Sequence, residues 1–190
     1  MQRCGWVGLE PIYVAYHDEE WGVPEYDSRA LWEKLILDGF QAGLSWIIIL
    51  KKREAFRKAF ANFDPEIIAT WGPKEVDALL QDSGIVRHRG KIQAAIGNAQ
   101  AYLELQEKIP FSERIWAYTG GVPLVGSYRS QADVPTNSDL SAQISKDLKK
   151  AGFKFCGPTI IYAWMEACGL INNHIINCER FEAVKKFARI

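Results

Sequence analysis

The chain has 190 residues, 23 Lys+Arg balanced by 23 Asp+Glu, three His and four Cys, and 48% of it is hydrophobic. That length suits one domain or two small lobes sharing a core, and the ordinary apolar and charged fractions exclude wholesale disorder and collagen-like repeats. The longest apolar run, Leu44 to Leu50, falls far short of the roughly 18 residues that span a bilayer, and the first thirty residues carry charges in place of a signal-peptide core. A cytoplasmic protein with no membrane partner is expected.

The pattern is helical nearly throughout. Ser28 is placed to cap a helix whose Leu31, Trp32, Leu35 and Ile36 share one apolar face. A second helix is expected from Leu44 or Ser45 to about Phe60, with Lys51, Lys52 and Arg53 on its polar side. Asp64-Pro65 opens a short helix to Trp71, and Pro73 opens another that stops at Gly84. A long helix from about Arg87 to Glu107 follows. Residues 120–135, with Gly120, Gly121, Pro123, Gly126 and Pro135, form the loosest stretch. Asn137 or Ser138 caps a helix ending near Gly152, and two more helices follow Gly157 and Asn172 or Asn173. No alternating strand pattern appears, so the expected class is all-α.

Chemistry gathers at the two ends. His174 and Cys178 stand four apart, which on a helix puts both on one face. Cys4 and His17 lie at the other terminus. Together they make a Cys2His2 set that suits tetrahedral zinc and ties the termini without a disulfide. The same residues also read as a surface histidine beside an acidic run and a helix-capping histidine, because this spacing is not diagnostic. Cys156 and Cys168, among apolar neighbours, read as small core residues.

The second clue is Gly152-Phe153-Lys154-Phe155-Cys156-Gly157-Pro158-Thr159, between a lysine-rich helix and an apolar one. Gly157 permits close backbone approach, and the free N–H groups at the next helix start favour an anion. Lys154 adds charge suited to a phosphate backbone; a plain helix–helix turn is the alternative. Lys51-Lys52-Arg53 and Arg87-His88-Arg89-Gly90-Lys91 read either as phosphate contacts or as solvated faces. With zero net charge, any nucleic-acid footprint is local. Seven Trp, seven Tyr and nine Phe make the chain rich in aromatics, most of them expected in the core.

These motifs together resemble the 3-methyladenine DNA glycosylase I family, bacterial base-excision repair enzymes of the helix-hairpin-helix superfamily. The resemblance is carried by Arg3-Cys4-Gly5-Trp6, by residues 16–24 (Tyr16-His17-Asp18-Glu19-Glu20-Trp21 onward), by Gln41-Ala42-Gly43-Leu44-Ser45-Trp46, and by Leu50-Lys51-Lys52-Arg53. Arg87-His88-Arg89-Gly90-Lys91-Ile92, the hairpin, and Cys168-Gly169-Leu170 leading to His174 extend it over essentially the whole chain. It implies a helix-hairpin-helix lobe of about residues 28–170 and a zinc and base-pocket lobe of about 1–27 with 171–190. It also implies structural zinc on Cys4, His17, His174 and Cys178, and a monomer acting in the bacterial cytosol and nucleoid on double-stranded DNA with alkylated bases. The implied reaction flips out an N3-alkylated purine and hydrolyses its N-glycosidic bond, leaving an abasic site. Tyr16 and Trp46 become stacking walls for the cationic base, with Trp6 and Tyr13 beside them and Trp21 a pocket or core residue. Gly43, Leu44, Lys154, Gly157 and Thr159 become DNA contacts.

Two departures stand out. The family motif Leu-Glu-Gly-x-Gln-Ala-Gly-Leu-Ser-Trp reads Leu37-Asp38-Gly39-Phe40-Gln41 here, so the pocket acid, Asp38, is shorter by one methylene. The position that carries an aspartate in much of the wider superfamily falls in Asn172-Asn173-His174, which favours a substrate whose bond is already labile. The Asp38 replacement keeps a rival reading open, a zinc-stapled module that binds damaged DNA without catalysis. A thiol or metal enzyme working through Cys4 or Cys178 is a weaker third.

Overall fold

Helix caps and apolar faces divide the chain into ten α-helices among the described residues, 2–188 of this computed structural model. Met1, Arg189 and Ile190, at the ends of the expected terminal lobe, lie outside them. Pro11 begins α1 (Pro11–Glu19), which sets Tyr13, Tyr16 and His17 at i, i+3 and i+4 on one face. The cap of α2 (Ser28–Gln41) is Asp27, one residue ahead of the expected Ser28; its carboxylate accepts from the Ala30 N–H at 2.8 Å. Ser28 is the first helical residue, and its hydroxyl bonds Ser112 instead. Leu31, Trp32, Leu35, Ile36, Leu37 and Phe40 of α2 are all buried. A helix apolar on so many sides has to be surrounded, and α2 is the central strut.

Ser45 precedes α3 (Trp46–Ala59), which buries Ile49, Leu50 and Phe56. The short α4 (Pro65–Ile68) and α5 (Pro73–Leu79) lead to the long α6 (Arg89–Gln106), capped by the His88 imidazole, and then to α7 (Phe111–Trp116). Ser138 caps α8 (Asp139–Lys150), and Pro158 starts α9 (Pro158–Ala167) after Gly157, both as the pattern predicts. The last α-helix among the described residues is α10 (Arg180–Ala183), followed by a 3-10 turn over Val184–Phe187. The helices expected to reach Trp71 and Gly84 are shorter, because turns follow Ile68 and Leu79. No described helix is long and apolar enough to cross a membrane.

The all-α expectation needs one amendment. Two two-residue strands, β1 (Leu124–Val125) and β2 (Ile171–Asn172), pair in parallel. The loop rich in Gly and Pro crosses the chain leaving α9 there, and its backbone must be satisfied. Leu124 N–H reaches the Leu170 carbonyl, and Gly126 N–H the Asn172 carbonyl, each at 2.9 Å.

Buried side chains form two clusters. The larger spans α2 through α9, with Trp32, Tyr102, Phe111, Phe153 and Trp164 among its members. The smaller joins Cys4, Val7, Tyr16 and Trp21 from the N-terminal segment to Ile175 and Cys178 from the C-terminal one. Trp46 packs against both.

Candidate functional site: a Cys2His2 group beside an aromatic cavity

The termini meet through Cys4, His17, His174 and Cys178, all buried, with ligand atoms within 4.8 Å of one another. Cys4 Sγ lies 3.6 Å from His174 Nδ1, and Cys178 Sγ lies 3.5 Å from both His174 Nδ1 and His17 Nε2. A tetrahedral centre with metal–sulfur and metal–nitrogen bonds of about 2.3 and 2.0–2.1 Å has S···N edges of about 3.5 Å. The donor set therefore fits a closed four-coordinate ion such as Zn2+. Residues 173–179 form a loop, so the pairing of His174 with Cys178 is not helical as the spacing had implied. A turn, with Cys178 N–H on the Ile175 carbonyl at 2.8 Å, folds the two side chains together instead.

The second nitrogen of each histidine is also engaged, which sets ring orientation. His17 Nδ1 bonds Asp18 Oδ1 at 2.7 Å, and Arg3 grips the same carboxylate. The Arg3 guanidinium, and then His17, hold the Asp18 carboxyl down at about 2. His174 Nε2 donates to the Trp21 carbonyl at 3.0 Å. Gly22 sits at φ +78°, and a Cβ there would lie 2.8 Å from His174 Nε2, so only glycine fits beside this ligand. Between the thiols, a hydrogen bond from Cys4 pulls the Cys178 pKa down, and both imidazoles add to this.

Directly above the cluster lies a cavity of about 180 Å³ lined by Trp6, Tyr13, Tyr16, Trp21, Asp38 and Trp46 among others. Trp6 is its hub, 4.9 Å from Tyr13, 5.1 Å from Trp21 and 5.4 Å from His17 between ring centroids. Tyr16 and Trp46 face each other at 5.5 Å with planes at 45°. Asp38 is 3% exposed, and its Oδ2 has no hydrogen-bond partner. Burial pushes its pKa well up, Lys34 offsets part of this, and Glu166 pushes it up further. An unpaired buried acceptor costs about 1–3 kcal/mol, and this one stands in the lining of the cavity.

Comparison with known proteins agrees with this geometry. The family model described as methyladenine glycosylase matches residues 6–181. The chain belongs to the methyladenine glycosylase family. It is 51% identical over 179 residues to the DNA-3-methyladenine glycosylase 1 of Escherichia coli K12, covering 94% of this chain and 96% of that protein. A crystal structure of a 3-methyladenine DNA glycosylase I superposes with a TM-score of 0.92 at 51% identity, covering 94% of this chain and 98% of that one. A tyrosine-to-phenylalanine variant of such an enzyme, solved in complex with 3-methyladenine, matches at 40% identity and TM-score 0.92, with 95% and 98% covered.

Within this methyladenine glycosylase, Trp6, Tyr13, Tyr16, Asp38 and Trp46 line one cavity. Trp21 is both core and pocket wall. Gly43 and Leu44 form the turn between α2 and α3, with Gly43 at φ +80° and Leu44 39% exposed. Lys154 and Thr159 are exposed, and Gly157 precedes α9. The hairpin is latched to α6 through Asn98, which accepts from Lys154 N–H at 2.8 Å and donates to its carbonyl at 3.1 Å. Phe155 takes φ +53°, the left-handed conformation that glycine adopts at lower cost.

Most cations of the other basic runs have partners within the protein. Lys51 pairs with Glu10, Lys52 caps the Ser83 and Gly84 carbonyls, and Arg53 chelates Glu20. Arg89 pairs with Asp77, while buried Lys91 bonds the Phe40 and Ala42 carbonyls. These charges organise helix ends. Sequence reasoning overlooked Glu166, which also lines the aromatic cavity. Its signal was a lone carboxylate in the otherwise apolar run from Ile160 to Ala167.

Proposed function

We propose that the protein excises 3-methyladenine from double-stranded DNA as a monofunctional glycosylase. The observation that carries this is the partnerless Asp38 oxygen buried in a cavity walled by Tyr16 and Trp46, together with family membership.

Methylation at N3 makes the nucleotide's adenine cationic, so the bond to C1′ breaks with its electron pair passing to N9 and neutralising the ring. Water adds to C1′ and loses its proton to solvent. The products are neutral 3-methyladenine and an abasic sugar. No acid is required to protonate the leaving group. The protein's task is to draw the base out of the stack and hold it. Electron-rich faces of Tyr16 and Trp46 suit a cation by about 0.5–2 kcal/mol per contact. Asp38 accepts from the exocyclic amine, and its carboxylate form is favoured once a cation enters. Trp6 and Tyr13 close the remaining wall.

In this reading Gly43 and Leu44 fill the gap left by the flipped nucleotide, and Lys154, Gly157 and Thr159 meet the backbone through a helix-hairpin-helix made by α8 and α9. Zinc on Cys4, His17, His174 and Cys178 is structural, since four protein ligands leave no open position. The helical lobe of about residues 28–170 grips DNA, and the terminal lobe carries the metal and four of the five aromatic residues of the pocket wall. The protein works as a monomer in the bacterial cytosol.

Zinc-loaded protein incubated with methylated duplex DNA tests the reading. Free 3-methyladenine and abasic sites in unbroken strands are expected. Tight binding to abasic DNA without base release would make it a recognition module instead.

A further inference from the structure

The cavity holds a second acid. Glu166 stands on α9 among Ile161, Tyr162, Trp164, Met165 and Ala167, all buried. The small side chains of Ala163 and Ala167 line the cavity beside it. Its carboxylate is positioned, because Asn173 Nδ2 donates to Oε1 at 2.8 Å while also meeting the Tyr162 hydroxyl at 2.9 Å. Glu166 also lines a neighbouring cleft with Gln131, Val134 and Thr159, so it stands where the aromatic cavity and that cleft adjoin.

Buried Asp38 and half-buried Glu166 share this space. Lys34 is the cation felt at Asp38, yet its Nζ donates to the Ala167 carbonyl at 3.1 Å. Like charges in one low-dielectric site raise each other's cost of ionisation, and a cationic guest removes it. A larger cavity, which shares Tyr16 and Trp46 with this one, carries cations as well as acids in its lining, with Arg53 paired to Glu20 and Arg57 to Glu33.

We propose that Glu166 is a specificity-determining residue which, with Asp38, makes a carboxyl pair that selects a positively charged purine over a neutral one. This rests on the function proposed above. The shorter acid at position 38 reaches less far into the cavity, and Glu166 supplies a second carboxylate in its lining.

The test compares zinc-loaded wild type, Glu166→Gln, Asp38→Asn and the double variant, each checked for zinc content and melting temperature. Binding of 3,9-dimethyladeninium, a permanent cation, is set against binding of neutral 9-methyladenine by tryptophan fluorescence. Wild type should prefer the cation. Glu166→Gln should lower that preference about 3–10-fold with the neutral probe within twofold, lower 3-methyladenine release by a similar factor, and be less than additive with Asp38→Asn. If the Gln variant does not fold, Glu166→Ser should show the same loss of preference. A preference unchanged within twofold overturns the role of Glu166. A wild type that neither prefers the cation nor releases base overturns the function itself, which separates the two failures.

Discussion

The Trp21 carbonyl accepts a hydrogen bond from His174 Nε2 at 3.0 Å, and the indole of the same residue meets that imidazole edge-on at 4.6 Å. A candidate metal ligand and a wall of the aromatic cavity are thus one mechanical unit. His17 belongs to it as well, stacked on Trp21 at 6.2 Å and touching Trp6.

Metal removal should therefore disturb the cavity as well as the fold. Chelation, or Cys178→Ser, is expected to lower the melting temperature by roughly 6–20 °C, the equivalent of about 3–5 kcal/mol in a chain of this size. Affinity for 3-methyladenine should fall with it, and after chelation, though not in Cys178→Ser, both should return on adding Zn2+. Calorimetry and fluorescence titration check this.

Asp38 places function and stability in opposition. Its pKa in the folded protein is raised by burial, so its favourable contribution is complete only below the unfolded value near 3.9 and fades as pH rises through the folded one. Asp38→Asn should melt higher than wild type at pH 7, by about 1–3 kcal/mol, with the gap closing toward pH 4. Glu166, pushed up to about 7 by burial, adds the same trend between pH 4.5 and 7. Melting curves across pH show the sign directly.

The hairpin latch can be loosened without touching the cavity. Asn98→Ala removes both hydrogen bonds to Lys154 and should weaken duplex binding several-fold, while zinc content and free-base affinity stay unchanged. Stability should drop by about 1–3 kcal/mol.

Salt dependence separates the lysines. Lys154→Ala should reduce the slope of log K against log salt by about 0.9, one phosphate contact. Lys52→Ala should leave the slope alone, because that ammonium is bound to the Ser83 and Gly84 carbonyls. Equal slopes for the two variants would contradict the assignment.

Helices with strong caps were readable from the sequence: Ser138 and Gly157-Pro158 begin α8 and α9 where expected. The cap of α2 was off by one because Asp27 and Ser28 are both good caps, and only the tertiary partner Ser112 decides between them. The metal set was legible as a composition, yet the folding of His174 onto Cys178 depends on a loop with no periodicity. Helix α1 went unread, although Pro11 and the spacing of Tyr13, Tyr16 and His17 mark it. The β1–β2 ladder could not be read, since two residues per strand carry no alternation. The partners of Lys51, Lys52 and Arg53 lie up to 41 positions away along the chain, so a charge run alone does not distinguish a phosphate contact from an internal tie.

Single-turnover release of 3-methyladenine from methylated duplex DNA, compared between zinc-loaded wild type and Asp38→Asn, tests the central claim most directly. A charge-assisted bond to the base is worth about 1.5–3 kcal/mol, so the variant should be slower by roughly 10- to 150-fold while remaining folded and metal-bound. Equal rates in the two proteins would contradict a cavity in which Asp38 holds the departing base.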